Sequence, residues 1–124
     1  MSRRRLPAAL AACGVLAAVT AACGGGGGGA TKTATNGRVL VVAGDIHYDV
    51  KTIKASAGPL TVTLHESGAL DHTFTMDKPK FELKVTRDHP DAIGTVTLAP
   101  GTYQFHCSVD GHAAEGMTGK IVVS

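Results

Sequence analysis

Cys107, His112 and Met117 stand at five-residue intervals in the segment Cys107-Ser-Val-Asp-Gly-His112-Ala-Ala-Glu-Gly-Met117. A thiolate, an imidazole and a thioether are soft to borderline donors, a set that suits copper. Gly111, Gly116 and Gly119 lie among them and free the backbone to curl, so one loop can aim three side chains at a common centre. Two imidazoles and a thiolate in a plane, with a long axial Met, make a blue-copper arrangement. The loop supplies one imidazole, so a second has to come from elsewhere. Zinc also accepts sulphur and nitrogen, but a thioether is a poor ligand for it.

Five other histidines are available. His106 adjoins Cys107 and points to the opposite face of the same strand. His65 alternates outward, opposite Leu64, while His47 and His89 lie in loop-like surroundings. His72, in Gly68-Ala-Leu-Asp-His72-Thr-Phe74, opens a short strand 35 residues before Cys107, a gap that two strands and their turns fill. It is the candidate second imidazole. The three cysteines are Cys13, Cys23 and Cys107, and the first two belong to the front end of the chain. An exported domain with a single thiol holds either a liability or a ligand, since thiols there usually pair.

The elements that must position these side chains read as strands. Residues 38–43 form a β-branched run, and residues 48–54, 60–64 and 81–85 alternate apolar with polar. Residues 72–76 form a short run, and residues 95–98 lead into the Pro100-Gly101 turn. Residues 102–107 alternate with Tyr103, Phe105 and Cys107 on one face, and residues 120–123 end the chain. Residues 86–94 hold a short helical turn or a loop. No window shows a 3.6-residue apolar period. About seven or eight strands in the block 38–124 predict an all-β antiparallel sandwich or barrel.

Residues 1–22 read as an address. Arg3-Arg4-Arg5 precedes an Ala-rich apolar run, the pattern of a secretory signal, and weakly resembles a twin-arginine signal. The run from Leu6 to Ala22 has seventeen residues, short of the ~20 of a membrane span. Ala21-Ala22-Cys23 resembles a bacterial lipobox, which predicts cleavage before Cys23 and a lipid on its thiol. Leu10-Ala11-Ala12-Cys13 fits the same pattern but would leave an apolar region of only seven residues. Residues 23–37, with six successive glycines, are expected to form a flexible leash between lipid and domain. The chain carries twelve Lys and Arg against ten Asp and Glu; without Arg3, Arg4 and Arg5 the balance is nine against ten, or −1. That charge makes no electrostatic case for nucleic acid.

With these motifs in place the chain resembles the cupredoxins, the group of plastocyanin, amicyanin, azurin and rusticyanin. The likeness rests on Tyr103-x-Phe105-His106-Cys107, Gly111-His112 and Met117-x-Gly119. Upstream it rests on Val42-Ala43-x-Asp45-x-x-Tyr48, on Ala57-Gly58-Pro59-x-Thr61-Val62 and on Ser67-Gly68-x-x-x-His72-Thr73-Phe74. The loop spacing is closest to the rusticyanin type, and the likeness spans residues 38–124. It implies a Greek-key β-sandwich holding one type 1 copper through His72, Cys107, His112 and Met117. Two positions depart from the family pattern. Thr73 stands where many relatives have an Asn that braces the loop, and Glu66 stands where Asn often precedes the Gly turn. Neither is expected to touch the ligands.

The resemblance implies an electron shuttle rather than an enzyme, meeting redox proteins transiently. Ala69, Leu70, Ala113 and Ala114 are candidates for an apolar docking patch beside the exposed edge of His112. The protein is expected as a monomer, exported and held by its lipid at the outer face of the cytoplasmic membrane or in the cell envelope. A copper carrier serving an oxidase is the alternative, but Met76 and Met117 are the only methionines past the signal. A copper enzyme would need a further site for which the spare histidines show no pairing.

Overall fold

The computed structural model describes residues 29–124. The signal, both candidate lipobox cysteines and the glycines up to residue 28 lie outside the described residues. Ten strands occur there: β1 (Thr31–Thr33), β2 (Arg38–Gly44), β3 (His47–Tyr48), β4 (Thr52–Ala55), β5 (Gly58–Glu66), β6 (His72–Met76), β7 (Phe81–Val85), β8 (Asp91–Leu98), β9 (Gly101–His106) and β10 (Thr118–Val123). They form a six-stranded sheet in the order β1-β4-β10-β9-β6-β7 and a four-stranded sheet in the order β3-β2-β5-β8. Both sheets are mixed, because β2 runs parallel to β5 and β4 parallel to β10. The parallel pairs depart from the purely antiparallel sandwich or barrel expected from the strand pattern, because the chain crosses between layers, as a Greek-key sandwich does. No helix among the described residues is long and apolar enough to cross a membrane.

Alternation decides which side chains fill the space between the sheets. Val39, Val41 and Ala43 of β2 and Leu60, Val62 and Leu64 of β5 are buried, with partly or fully exposed residues between them. From the other sheet come Ile53, Phe74, Met76, Phe105 and Ile121. The Phe74 and Phe105 rings stack at 4.4 Å, and Tyr48 meets both edge-on at 6.2 and 5.4 Å. Burying side chains of this size is worth about 1.5–3 kcal/mol each, which makes this cluster the principal anchor of the two sheets. Two of its rings, Phe74 and Phe105, lie in β6, which His72 opens, and in β9, which Cys107 follows.

Three local expectations change. The alternating stretch 48–54 is not one strand. His47–Tyr48 pairs with β2, whereas Thr52–Ala55 pairs with β10 in the other sheet. The inward phase slips by one residue, from Tyr48 and Val50 to Ile53 and Ala55, where the chain turns the corner between layers. Residues 86–94 contain no helix: Thr86 and His89 exchange backbone hydrogen bonds in a turn, and β8 begins at Asp91. Gly94 hid that strand from a composition-based reading. It is glycine because Leu83 and Phe81 lie where its side chain would be.

The third change concerns the leash. Residues 31–37 belong to the fold, since Thr31–Thr33 runs parallel to β4. Asn36 and Gly37 both take positive φ, 51° and 69°, in a tight turn that closes Thr35 onto Arg38. Asn-Gly is the strongest short-range hairpin signal, and here it lay unread next to a glycine run. Lys32 then pairs with Asp49 at 2.5 Å and donates to Leu40 O at 2.7 Å, tying β1 to the body of the domain.

Candidate metal centre

The site is built where β6 begins and β9 ends. Thr75 lies opposite His106 in the antiparallel pairing of these strands. Two residues before Thr75 and two after His106, Thr73 is therefore brought beside Ser108, and the Ser108 N–H donates to Thr73 Oγ1 at 2.7 Å. Between these points the Thr73 N–H donates to Cys107 Sγ at 3.4 Å. The Tyr48 hydroxyl donates to Thr73 O. Burial pushes that phenol well above its ordinary pKa, with the nearby Cys107 charge adding to the effect, so it remains a donor. Thr73 Oγ1 also lies 2.9 Å from Thr75 Oγ1 and from Ser108 Oγ. The hydroxyl at this departure from the family pattern thus braces the loop directly.

The loop from Cys107 to Met117 is closed by its own backbone. Cys107 N–H donates to Met117 O at 3.0 Å, continuing the β9–β10 ladder. His112 N–H donates to Val109 O at 3.1 Å, and Met117 N–H returns to His112 O at 3.1 Å. Gly111 and Gly116 take φ values of 82° and 101°, which supply the expected curl. Gly119 has another reason to be glycine: it lies within β10, under the Phe105 ring, which a Cβ there would strike. Lys51 adds an outside tie, its ammonium donating to Gly116 O and, at 3.1 Å, to Thr118 O.

These constraints bring together the residues anticipated from the sequence. His72 Nδ1 lies 3.9 Å from Cys107 Sγ, and His112 Nδ1 lies 3.5 Å from it. The ligand atoms of the three all lie within 4.8 Å of one another, and no other such group of His, Cys, Asp and Glu occurs among the described residues. Separations of this size suit donors that each sit roughly 2 Å from one first-row ion. Met117, fully buried, is joined through its backbone to both Cys107 and His112. Burial holds the His72 imidazole below its ordinary pKa, although the Glu66 carboxylate pulls the other way. A neutral ring is the form that ligates. Two imidazole nitrogens, a buried free thiol and a thioether form a donor set that fits copper.

The remaining histidines stay outside the cluster. His47 Nδ1 lies 3.0 Å from Asp45 O, and His65 pairs with Asp91 at 2.6 Å. His89 is exposed and His106 half-buried. The expectation that neither Thr73 nor Glu66 touches the ligands is overturned, because the Thr73 N–H reaches Cys107 Sγ at 3.4 Å and Glu66 Oε2 lies 3.5 Å from His72 Nε2. The signal for Glu66 was present: extending the inward alternation of Leu60, Val62 and Leu64 by one more step reaches it.

A model of the cupredoxin-like domain matches residues 8–123 of the chain. The chain belongs to the cupredoxin-like family. Among solved structures this cupredoxin is similar to the copper protein rusticyanin, at 25% identity and a TM-score of 0.59, over 76% of this chain and 82% of that one. It is also similar to reduced auracyanin from the photosynthetic bacterium Roseiflexus castenholzii, at 22% identity and a TM-score of 0.58, over 73% and 98% of the two chains. Oxidised plastocyanin from the fern Dryopteris crassirhizoma aligns at 23% identity and a TM-score of 0.56, over 69% of this chain and all (100%) of that one. No curated protein matches it. His72, Cys107, His112 and Met117 of this cupredoxin are arranged as a type 1 copper site.

Proposed function

We propose that this cupredoxin is a blue copper electron carrier that moves single electrons between membrane-associated redox proteins outside the cytoplasmic membrane. The observation that carries the reading is the convergence of two imidazole nitrogens on Cys107 Sγ against the packed core, at 3.9 and 3.5 Å. Copper bound there supplies a one-electron couple between Cu(II) and Cu(I). The chain's own residues hold the ligands nearly still, through the β6–β9 pairing, the Thr73–Ser108 bond and the turns of the loop. A site that moves little exchanges electrons quickly.

His112 is the half-buried ligand, and Leu70 and Ala114 are exposed. These apolar side chains, with the exposed acids Asp71, Asp110 and Glu115 next to them in sequence, suit the small, brief encounters typical of redox partners. A lipid on Cys23, following export directed by residues 1–22, would keep the monomeric domain close to those partners at high local concentration. The carrier reading finds less support, because Met76 and Met117 are both fully buried and offer no exposed thioethers for handing copper on.

Addition of Cu(II) to the protein is expected to give an intense blue or green thiolate band. The reduced form should then pass electrons to an oxidised haem protein while retaining its copper against a chelator. Loss of copper to the chelator as fast as electrons are passed would favour the carrier instead. For the anchor, Cys23→Ala is expected to move the protein from the membrane fraction to the soluble one. Retention at the membrane would refute Cys23 as the lipid site.

A further inference from the structure

Among the described residues, two buried side-chain atoms have no hydrogen-bond partner, Glu66 Oε2 and His72 Nε2. They face each other at 3.5 Å, in side chains 1% and 0% exposed. Buried polar atoms rarely stay unpaired, and both the Glu66 carboxylate and the Gly44 backbone act on the His72 ring as groups that favour a proton there. A carboxylate oxygen accepts, whereas an imidazole nitrogen donates or accepts according to tautomer. A proton on Nε2 turns the pair into a donor and an acceptor. It also leaves the Nδ1 lone pair on the side of Cys107 Sγ, 3.9 Å away. The other tautomer sets two acceptors against each other in a space buried from the surface.

Glu66 is well placed for this task. It ends β5 with its backbone N–H donating to Pro90 O at 2.7 Å, and its Oε1 accepts the Gly68 N–H at 2.5 Å. One oxygen is thus fixed by backbone and the other is left for His72. Ligating histidines commonly donate their second nitrogen to such an outer acceptor, which sets the ring's orientation and raises its basicity. An acceptor that carries charge does more. A buried negative charge next to a ligand stabilises the more positive state of the metal, and little solvent is present to screen it.

We propose that Glu66 is a positioning residue that holds His72 in its Nδ1-ligating tautomer and, through its charge, favours Cu(II) over Cu(I). The inference rests on the copper reading of the site and adds to it a determinant of the potential. Glu66→Gln keeps an oxygen for the Nε2 proton and the same shape, but removes the charge. Its affinities for Cu(II) and Cu(I), measured by chelator competition, are expected to fall unequally, by tenfold or more for Cu(II) and by less for Cu(I). The reduction potential then rises by about 59 mV for each tenfold difference between the two losses. Equal losses, or an unchanged potential, overturn the proposal.

The metal-free wild-type protein gives a reading that needs no substitution. Imidazole nitrogen shifts by NMR are expected to show His72 protonated at Nε2 and bare at Nδ1; a proton on Nδ1 overturns the proposal. A wild-type protein that takes up Cu(II) without an intense thiolate band would instead refute the copper reading. That failure is seen before any change at Glu66.

Discussion

The two histidine ligands are held in opposite ways. His72 is fully buried, opens a strand laddered to β7, and has a carboxylate behind its far nitrogen. His112 is half-buried, and its backbone bonds run only to Val109, Glu115 and Met117 of its own loop. One ligand is placed by contacts between residues distant in sequence, and the other by turns between neighbours. The comparison separates two jobs. The buried side fixes the metal's surroundings and so its preferred oxidation state. The loop side reaches the surface, where, on the proposed function, an electron would leave.

Cys107 belongs to both sides, receiving the Thr73 N–H at its sulphur and giving its own N–H to Met117 O. Its replacement has the largest effect. Cys107→Ser is expected to abolish the intense visible band of the Cu(II) protein, whereas Met117→Leu should keep the colour and shift the potential. The two histidines should then part company. His72→Ala opens a cavity in the core and strips Glu66 Oε2 of its facing group, a loss of about 2–4 kcal/mol in metal-free stability by denaturant titration. His112→Ala should cost under about 1 kcal/mol. Added imidazole is expected to restore the thiolate band to His112→Ala, whose gap opens to solvent, and to leave His72→Ala unchanged. Equal responses of the two variants would contradict the division between a core-held and a loop-held ligand.

The same division explains what could be read before the structure. The loop ligands were legible because neighbours in sequence are neighbours in space there, so spacing alone carried the geometry. Strand β7 was legible over its full length, since two-residue alternation reports directly which face is buried. Alternation does not report which sheet a strand joins. That is why residues 48–54 looked continuous while the chain was changing layers at Val50 and Lys51. Composition also misled at Gly94, where a strand glycine serves the packing of Phe81 and Leu83. Residues 31–37 misled for the same reason, because an Asn-Gly turn was counted with the glycines before it. Glu66 was missed because charge was given more weight than phase. The alternation of β5 places position 66 inward whatever residue occupies it, and a charge placed there by phase has to be doing something.

Smaller effects are expected from the braces on each side. Thr73→Val keeps the shape of the side chain but leaves the Ser108 N–H without its acceptor at 2.7 Å. A loss of about 1–2 kcal/mol in thermal or denaturant unfolding is expected, with the copper band retained. Loss of the band would mean that the hydroxyl, and not the backbone N–H of Thr73, governs the thiolate.

Lys51 is the corresponding brace on the loop side. Its ammonium joins Gly116 O and Thr118 O, the carbonyls on either side of Met117, while its own backbone donates to Ala30 O at 2.8 Å and accepts from Lys120 N at 2.9 Å. Lys51→Met keeps most of the apolar stem and removes the charge. Because the group is partly exposed, the loss of stability should be only about 0.5–1 kcal/mol. The positive charge sits against the carbonyls that flank Met117 and would oppose the more positive state of copper held there. Its removal is therefore expected to lower the reduction potential, the reverse of the change expected for Glu66→Gln. A shift in the same direction for both variants would show that loosened packing, and not charge, sets the potential on each side.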